Sequence, residues 1–161
     1  SAVEELLRFN RFSEDGQLRV AIEDDELHGV QIKAGEDVMA ALPPLFEGRM
    51  RLHNGTVEVL LGVTLHAVGG HTPGSQVVRV HTERGWIVLA SDAAHLWVNI
   101  RQRSPFPIID DLAQSLEAFS EINRLADSED HVIPGHDPLI AERFPHWNDD
   151  PHIICLHQNP L

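Results

Sequence analysis

Apolar and polar positions alternate through the middle of the chain, which predicts antiparallel strands joined by tight turns. Residues 49–60 alternate around Asn54 and Gly55, a typical hairpin turn. The other alternating or apolar runs predict strands over 63–68, 77–82 and 86–90, and a short strand that ends in a turn within 131–140. These strands follow one another closely, so we expect a mostly antiparallel sheet.

Helical periodicity is clearest over residues 110–126, where Asp110 or Asp111 can cap the first turn. The apolar stripe of this predicted helix consists of Leu112, Leu116, Phe119, Ile122 and Leu125. Weaker patterns predict helices over 1–9, 36–46 and 139–147, the second of them stopped or kinked by Pro43 and Pro44. Residues 10–34 look irregular and acidic. The order of elements predicts an α+β or layered α/β fold, with a lead-in over 1–46 and a domain over 47–161.

Composition narrows the classes of partner. The chain has 161 residues, 42% of them hydrophobic and 23% charged, which is ordinary for a globular protein. Its net charge of −13 argues against nucleic acid or an anionic membrane as a partner. The apolar runs are far shorter than the roughly 20 residues that span a bilayer. Cys155 is the only cysteine and no signal peptide opens the sequence, so we expect a cytoplasmic protein.

Three segments share a design in which an apolar strand delivers a histidine or an aspartate into a short loop. They place His71 in GGHTPGSQ, Asp92 in SDA and His136 in PGHDPL. Two imidazoles and a carboxylate suit a divalent ion such as Zn²⁺, with Fe²⁺ or Co²⁺ as alternatives. Taken singly, each has a structural alternative: His71 bonding the backbone, Asp92 capping a turn, or His136 as a plain loop residue.

The order GGHTPGSQ, SDA and PGHDPL resembles the second half of the metallo-β-lactamase-fold hydrolases, and most closely the N-acyl homoserine lactonases. The resemblance covers residues 47–145 and implies half of an αββα sandwich. It also implies two divalent metal ions, zinc above all, with iron, cobalt or manganese possible. His71 would bind the first ion, Asp92 would bridge both, and His136 would bind the second. A hydroxide between the ions would attack the carbonyl of a lactone or related ester.

His95 occupies the position, three residues after Asp92, where the lactonases typically have tyrosine, and this chain has no tyrosine. The resemblance assigns this position to catalysis, either handling a proton or polarising the carbonyl. The alternative is that His95 only lines the pocket. Trp97, Phe106 and Pro107 likewise form either an apolar wall for an acyl chain or part of the core or a lid.

The HxHxDH motif, which supplies ligands from the first half of these hydrolases, does not occur in the 161 residues. Without it, His71, Asp92 and His136 provide two protein ligands for each ion, and a catalytic zinc usually has three. One face of the sheet would also lack its covering layer. We therefore expect an N-terminal half, as a separate chain or a missing segment, that carries HxHxDH. A homodimer is a further expectation.

Several functions remain open on the sequence alone. The first is a metal-dependent hydrolase of lactones or related esters, active only with the missing half. The second is a hydrolase of the same fold that acts on another ester, an amide or a thioester. The third is a non-catalytic remnant or a regulatory subunit. The fourth is a mononuclear iron oxygenase that uses His71, Asp92 and His136 as a facial triad.

Overall fold

The computed structural model describes residues 10–12, 18–20, 34–49, 53, 55–148 and 150–161. The chain forms two compact units, Ser1–Leu52 and His53–Leu161. The boundary between them lies after Leu52, and the lead-in predicted over 1–46 stays a prediction. In the described part of the chain, no helix is both long and apolar enough to cross a membrane.

The first unit contains a short hairpin and one helix. Strand β1 (Asn10–Phe12) pairs antiparallel with β2 (Leu18–Val20), so the prediction of irregular structure over 10–34 is wrong for these two segments. Helix α1 (Ala34–Phe46) continues through Pro43 and Pro44 rather than stopping there. Both prolines lie near its end and accept bonds through their carbonyls from residues 47 and 49, which closes the last turn. The predicted helix over 1–9 lies outside the described residues.

The second unit is built on one mixed sheet of five strands in the order β3-β4-β5-β6-β7. The strands are β3 (Thr56–Leu60), β4 (Val63–Ala67), β5 (Gln76–Thr82), β6 (Gly85–Ser91) and β7 (Val132–Pro134). The first four pair antiparallel in sequence order, and β7 lies parallel to β6. The predicted α+β fold with a mostly antiparallel sheet is confirmed.

The turn that joins β3 and β4 is formed by Leu61 and Gly62, which the sequence reading did not predict. Gly62 has a φ of +77°, a left-handed conformation that glycine adopts without strain. We had predicted a hairpin around Asn54 and Gly55 instead. The first strand of that hairpin falls mainly on residues outside the described part, and β3 is paired with β4.

Helix α3 (Leu112–Leu125) covers one face of the sheet and forms the main core with it. Its Phe119 and Ile122 are fully buried in a cluster that contains Val77, Val88 and Val132 of the sheet. The predicted cap is confirmed, because the Asp111 carboxylate accepts a 2.9 Å bond from the Gln114 amide. This bond also lowers the pKa of Asp111 below its ordinary value.

The opposite face of β6 and β7 packs on short elements of the chain. Helix α2 (Trp97–Arg101) brings in Trp97, and the residue after helix α4 (Leu139–Arg143) is Phe144. These two rings form a second buried cluster with Ile133 of β7. Residues 92–96 form the predicted loop before α2, whereas the predicted helix over 139–147 ends earlier, at Arg143. A helix of five residues is too short to show a helical period in the sequence.

The last part of the chain is a small antiparallel hairpin of β8 (His146–Trp147) and β9 (Asp150–Ile154). It takes residues 146 and 147 out of the predicted helix. Ile154 and Leu156 pack against the second buried cluster. The hairpin therefore helps to cover the sheet face that carries Ile133.

His66 of β4 is a buried histidine whose surroundings disfavour its charged form. Its ring nitrogens lie 3.2 Å from Thr56 Oγ1 and 2.9 Å from Thr64 Oγ1, and only 7% of the residue is exposed. Burial is the main cause that lowers its pKa. The cations of Arg79 and Arg124 lower it further, and Glu121 opposes them.

We expect His66 to make the unit less stable in mild acid. Below the unfolded-state pKa of about 6.5, the unfolded chain takes up a proton that the buried ring does not, so the free energy of unfolding falls as the pH falls towards the lower folded-state pKa. Thermal unfolding from about pH 7.5 to about pH 5.5 should show a smaller loss of Tm in His66→Asn than in the wild type. His152→Asn, at an exposed position, is the control and should behave as the wild type. Equal losses in the wild type and His66→Asn would contradict the prediction.

Candidate metal centre

Three loops meet at one edge of the sheet because the strands before them run in the same direction. Strand β5 lies antiparallel between β4 and β6, and β7 is parallel to β6, so β4, β6 and β7 all point the same way. The loops after these strands carry His71, Asp92 and His136. The sheet thereby brings together residues that lie up to 65 positions apart in the chain.

Asp92 lies at the centre of this group, with one imidazole near each carboxylate oxygen. His136 Nε2 is 2.5 Å from Asp92 Oδ1, and His71 Nε2 is 3.8 Å from Asp92 Oδ2. The side chains of Asp92 and His136 are 44% and 59% exposed, whereas that of His71 is 19% exposed. The site is therefore open on the side of His136 and more enclosed on the side of His71.

His95 joins the group and lies against both other histidines. Its ring stacks on His136 with centroids 5.1 Å apart and meets His71 edge-on at 5.4 Å. Phe106 stacks on the same ring at 4.5 Å. Burial lowers the pKa of His95, while the nearby Asp92 carboxylate raises it and the two histidines lower it.

The structure places His95 among possible ligands, which the sequence reading missed. One donor atom each from Asp92, His95 and His136 lies within 4.8 Å of the other two. The sequence contains one indication of this ligand role, because Asp92 and His95 are three residues apart in a loop that follows a strand. The resemblance instead assigns His95 to catalysis, because it replaces the lactonase tyrosine, and that role stays a prediction.

The donor groups fit a divalent metal ion of the zinc, iron or cobalt type, which prefers imidazole nitrogen together with a carboxylate oxygen. His71 has the orientation that is most typical of a metal-binding histidine. Its Nδ1 donates a 2.7 Å bond to the Ile108 carbonyl, which leaves Nε2, beside Asp92, as the ring nitrogen that could bind a metal ion. Histidines that bind metals are usually oriented by such a bond.

Close backbone contacts hold the Asp92 and His136 loops together. The amide of Gly135 donates to Ala94 O, and that of His136 donates to His95 O, both at 2.9 Å. A Cβ at Gly135 would lie only 2.6 Å from Ser91 O, so a side chain at this position would push the loops apart. Ser91 has a φ of +48°, which is strained for a residue other than glycine and typical of functional sites.

The His71 loop is held in the same manner by the start of α3. The carbonyl of Gly70 accepts bonds from the amides of Asp110 and Asp111, at 2.9 and 3.0 Å. A Cβ at Gly70 would lie 2.6 Å from Ser115 Oγ and 2.7 Å from its backbone, and φ is +86° there. The helix can approach the loop this closely because Gly70 has no side chain.

The three apolar residues considered for a substrate wall separate into two groups. Trp97 belongs to the core, with 4% exposure and a 2.7 Å bond from its Nε1 to Val132 O. Phe106 is 36% exposed and faces His95, and Pro107 is exposed. Of the three, Phe106 is the one that the structure places beside the site.

We expect Gly135→Ala to damage the site, and Gly74→Ala to be tolerated. The added methyl group at position 135 meets the Ser91 backbone, which should lower the free energy of unfolding by about 1–3 kcal/mol. A Cβ at Gly74 meets nothing within 4 Å, so this matched variant should stay within about 0.5 kcal/mol of the wild type. Urea unfolding of the three proteins measures both values. An equally stable Gly135→Ala would show that the loops do not depend on this contact.

Comparisons with known proteins gave matches among solved structures. Neither a protein-family profile nor a curated protein matches the sequence. Among solved structures, an N-acyl homoserine lactone hydrolase with the product N-hexanoyl-L-homoserine at its catalytic metal center matches with a TM-score of 0.50 and 29% identity. The match covers 55% of this chain and 36% of that chain, so this chain spans little more than a third of the enzyme.

Two more distant structures show the shared fold. A probable metal-dependent hydrolase from Staphylococcus aureus has a TM-score of 0.50 and 16% identity, and covers 68% of this chain and 39% of its own. A dizinc quorum-quenching lactonase has a TM-score of 0.50 and 12% identity, with coverages of 69% and 39%. The second unit thus has the fold of the C-terminal, lactonase-like half of a metallo-β-lactamase-fold hydrolase.

Proposed function

We propose that this chain forms the C-terminal half of a metal-dependent hydrolase of lactones or related esters. The observation that carries the proposal is the position of Asp92 between His71 and His136, with one imidazole near each carboxylate oxygen. Such a carboxylate can serve two metal ions at once, each with a histidine of its own. The solved lactone hydrolase with product at its catalytic metal center supports the same reaction class.

Divalent ions bound here would supply a water molecule that ionises near neutral pH and a Lewis acid for the carbonyl oxygen. The residues of this chain would hold and orient the reacting parts. Asp92 and His136 sit at the exposed side of the site, where a substrate can enter. His71 is fixed by its bond to the Ile108 carbonyl. Phe106 offers an apolar surface beside His95 for the non-reacting part of a substrate.

An N-terminal half that carries HxHxDH would complete this site, either as a second polypeptide or as a segment of a longer chain. The second face of the sheet supports this part of the proposal. Its positions on β3, β4 and β5 are apolar and half-buried: Val57, Val63, Leu65, Val78 and Val80. A covering layer with an apolar surface would bury them and bring further ligands to the same edge.

A second candidate is a hydrolase of the same fold that acts on another ester, an amide or a thioester. It is favoured by His95, because an imidazole at the position of the lactonase tyrosine differs from a phenol in shape and in pKa. Because of this difference, the proposed substrate class is wider than the N-acyl homoserine lactones that a quorum-quenching lactonase hydrolyses, and it includes them as one member.

The first test is mass spectrometry of the native protein under denaturing and then native conditions. We expect a second polypeptide with HxHxDH, or a longer chain that contains it. Native masses would also show whether two copies of this chain associate. A metal-loaded sample that contains these 161 residues alone and hydrolyses esters would contradict the requirement for a second half.

The second test assays the completed protein on N-hexanoyl homoserine lactone, an aryl ester, an amide and a thioester. We expect turnover of the lactone or the ester, and Asp92→Asn should lower kcat/KM by at least about 100-fold because one residue serves both ions. Gly74→Ala is the control and should retain full activity, since its Cβ contacts nothing. Full activity of Asp92→Asn, or no turnover of any of the four substrates, would refute the proposed reaction.

A further inference from the structure

We infer that this chain binds one divalent metal ion without any other polypeptide, through Asp92, His95 and His136. The site uses His95 as the third protein ligand, in place of a ligand from the missing half. Three protein ligands and an open fourth position are the composition of a catalytic zinc site. This inference goes beyond the proposed function and does not depend on hydrolysis.

The donor atoms are already close enough for one ion. Each of the three residues places a donor atom within 4.8 Å of the other two. Donors around a tetrahedral zinc ion, at about 2.1 Å from it, lie about 3.4 Å from one another. The longest separation therefore has to shrink by at most about 1.4 Å, and the Asp92–His136 pair, now 2.5 Å apart, has to open by about 0.9 Å.

Backbone hydrogen bonds hold the two ligand-bearing loops close together in the absence of an ion. Asp92 and His95 share one short loop after β6, and the amide of His136 donates directly to the carbonyl of His95. The buried Asp137 adds a second tie, because its Oδ2 accepts a 3.0 Å bond from the Trp97 amide. The two loops that carry the three ligands are thus fixed to each other on both sides of the site.

The His95 ring is also fixed in direction. It stacks on Phe106 with an interplanar angle of 21° and on His136 with an angle of 25°, so its nitrogens stay at the edge of the stack, beside Asp92. His71 contacts the group differently. Its Nε2 faces the other carboxylate oxygen at 3.8 Å, and it is not a member of the three-residue set.

The test uses the whole 161-residue chain, freed of metal and then titrated with Zn²⁺ in a calorimeter. We expect one ion per chain. His95→Phe keeps an aromatic ring in the stack and should weaken Zn²⁺ binding by more than about 100-fold, since even loss of a partner outside the ligand shell costs about 10–100-fold. His71→Phe should still bind one ion and lose far less affinity. His152→Phe, at an exposed position away from the cluster, should bind as the wild type does.

A second measurement uses the wild type alone, so that its result does not depend on whether the variants fold. Nitrogen-15 spectra of the wild-type histidine rings should show the His95 signal shift on addition of Zn²⁺, together with that of His136. His95→Gln provides a smaller polar substitute if His95→Phe unfolds, which circular dichroism would reveal.

Three results would overturn the inference: no bound ion on the isolated chain, unchanged affinity in His95→Phe, or a His95 signal that does not move. Loss of binding in His71→Phe with full binding in His95→Phe would show that the ion is bound by His71 and His136 instead of His95 and His136. None of these measurements involves a substrate or a second polypeptide. The inference and the proposed hydrolase can therefore fail separately.

Discussion

Strands β6 and β7 run parallel and adjacent, and their register places Ser91 opposite Pro134. The residues that follow, Asp92 and His136, therefore emerge side by side although 44 positions separate them. A parallel pair needs a long crossover, and here that crossover contains α2 and α3. The pairing thus creates the site and also supplies the helix that covers one sheet face. Gly135 permits it, since any side chain there would meet the backbone of Ser91.

The two sheet faces contribute to the molecule in different ways. The face under α3 is packed with fully buried residues such as Val88 and Val132, and this gives the site a rigid base. The opposite face is well covered near β6 and β7, by Trp97 and Phe144, and remains half-buried towards β3. The N-terminal half that we propose would cover this face on the side away from β7. That is consistent with a match to about a third of a complete lactone hydrolase.

Electrostatics favours a cation at the edge where the loops meet. The chain carries a net charge of −13, which raises the local concentration of divalent cations around it. Within the site, the Asp92 carboxylate lies beside the His71, His95 and His136 rings. In the proposed site, imidazole nitrogens would supply most of the ligands, which suits an ion that takes nitrogen readily, such as zinc, better than calcium or magnesium.

Local patterns in the sequence were sufficient for the regular parts of the second unit. The period of α3, its cap at Asp110 or Asp111, the alternation in β5 and the apolar run of β6 each arise from neighbouring residues, so these elements could be predicted closely. The motifs around His71, Asp92 and His136 could be recognised for the same reason. The prediction that they lie together rested on the resemblance, because strand order and direction are not local properties.

Other features were decided only by the tertiary structure. Helix α2 and the β1–β2 hairpin are too short to produce a period, and the turn at Leu61 and Gly62 has a weaker local signal than Asn54 and Gly55. The position of His95 depends on its contacts with Phe106 and His136, which come from distant parts of the chain. The sequence by itself determined which donor groups the chain possesses and on which loops they lie. Only the folded sheet decided which of them meet around Asp92, because that depends on strand direction, register and the close approach of the loops.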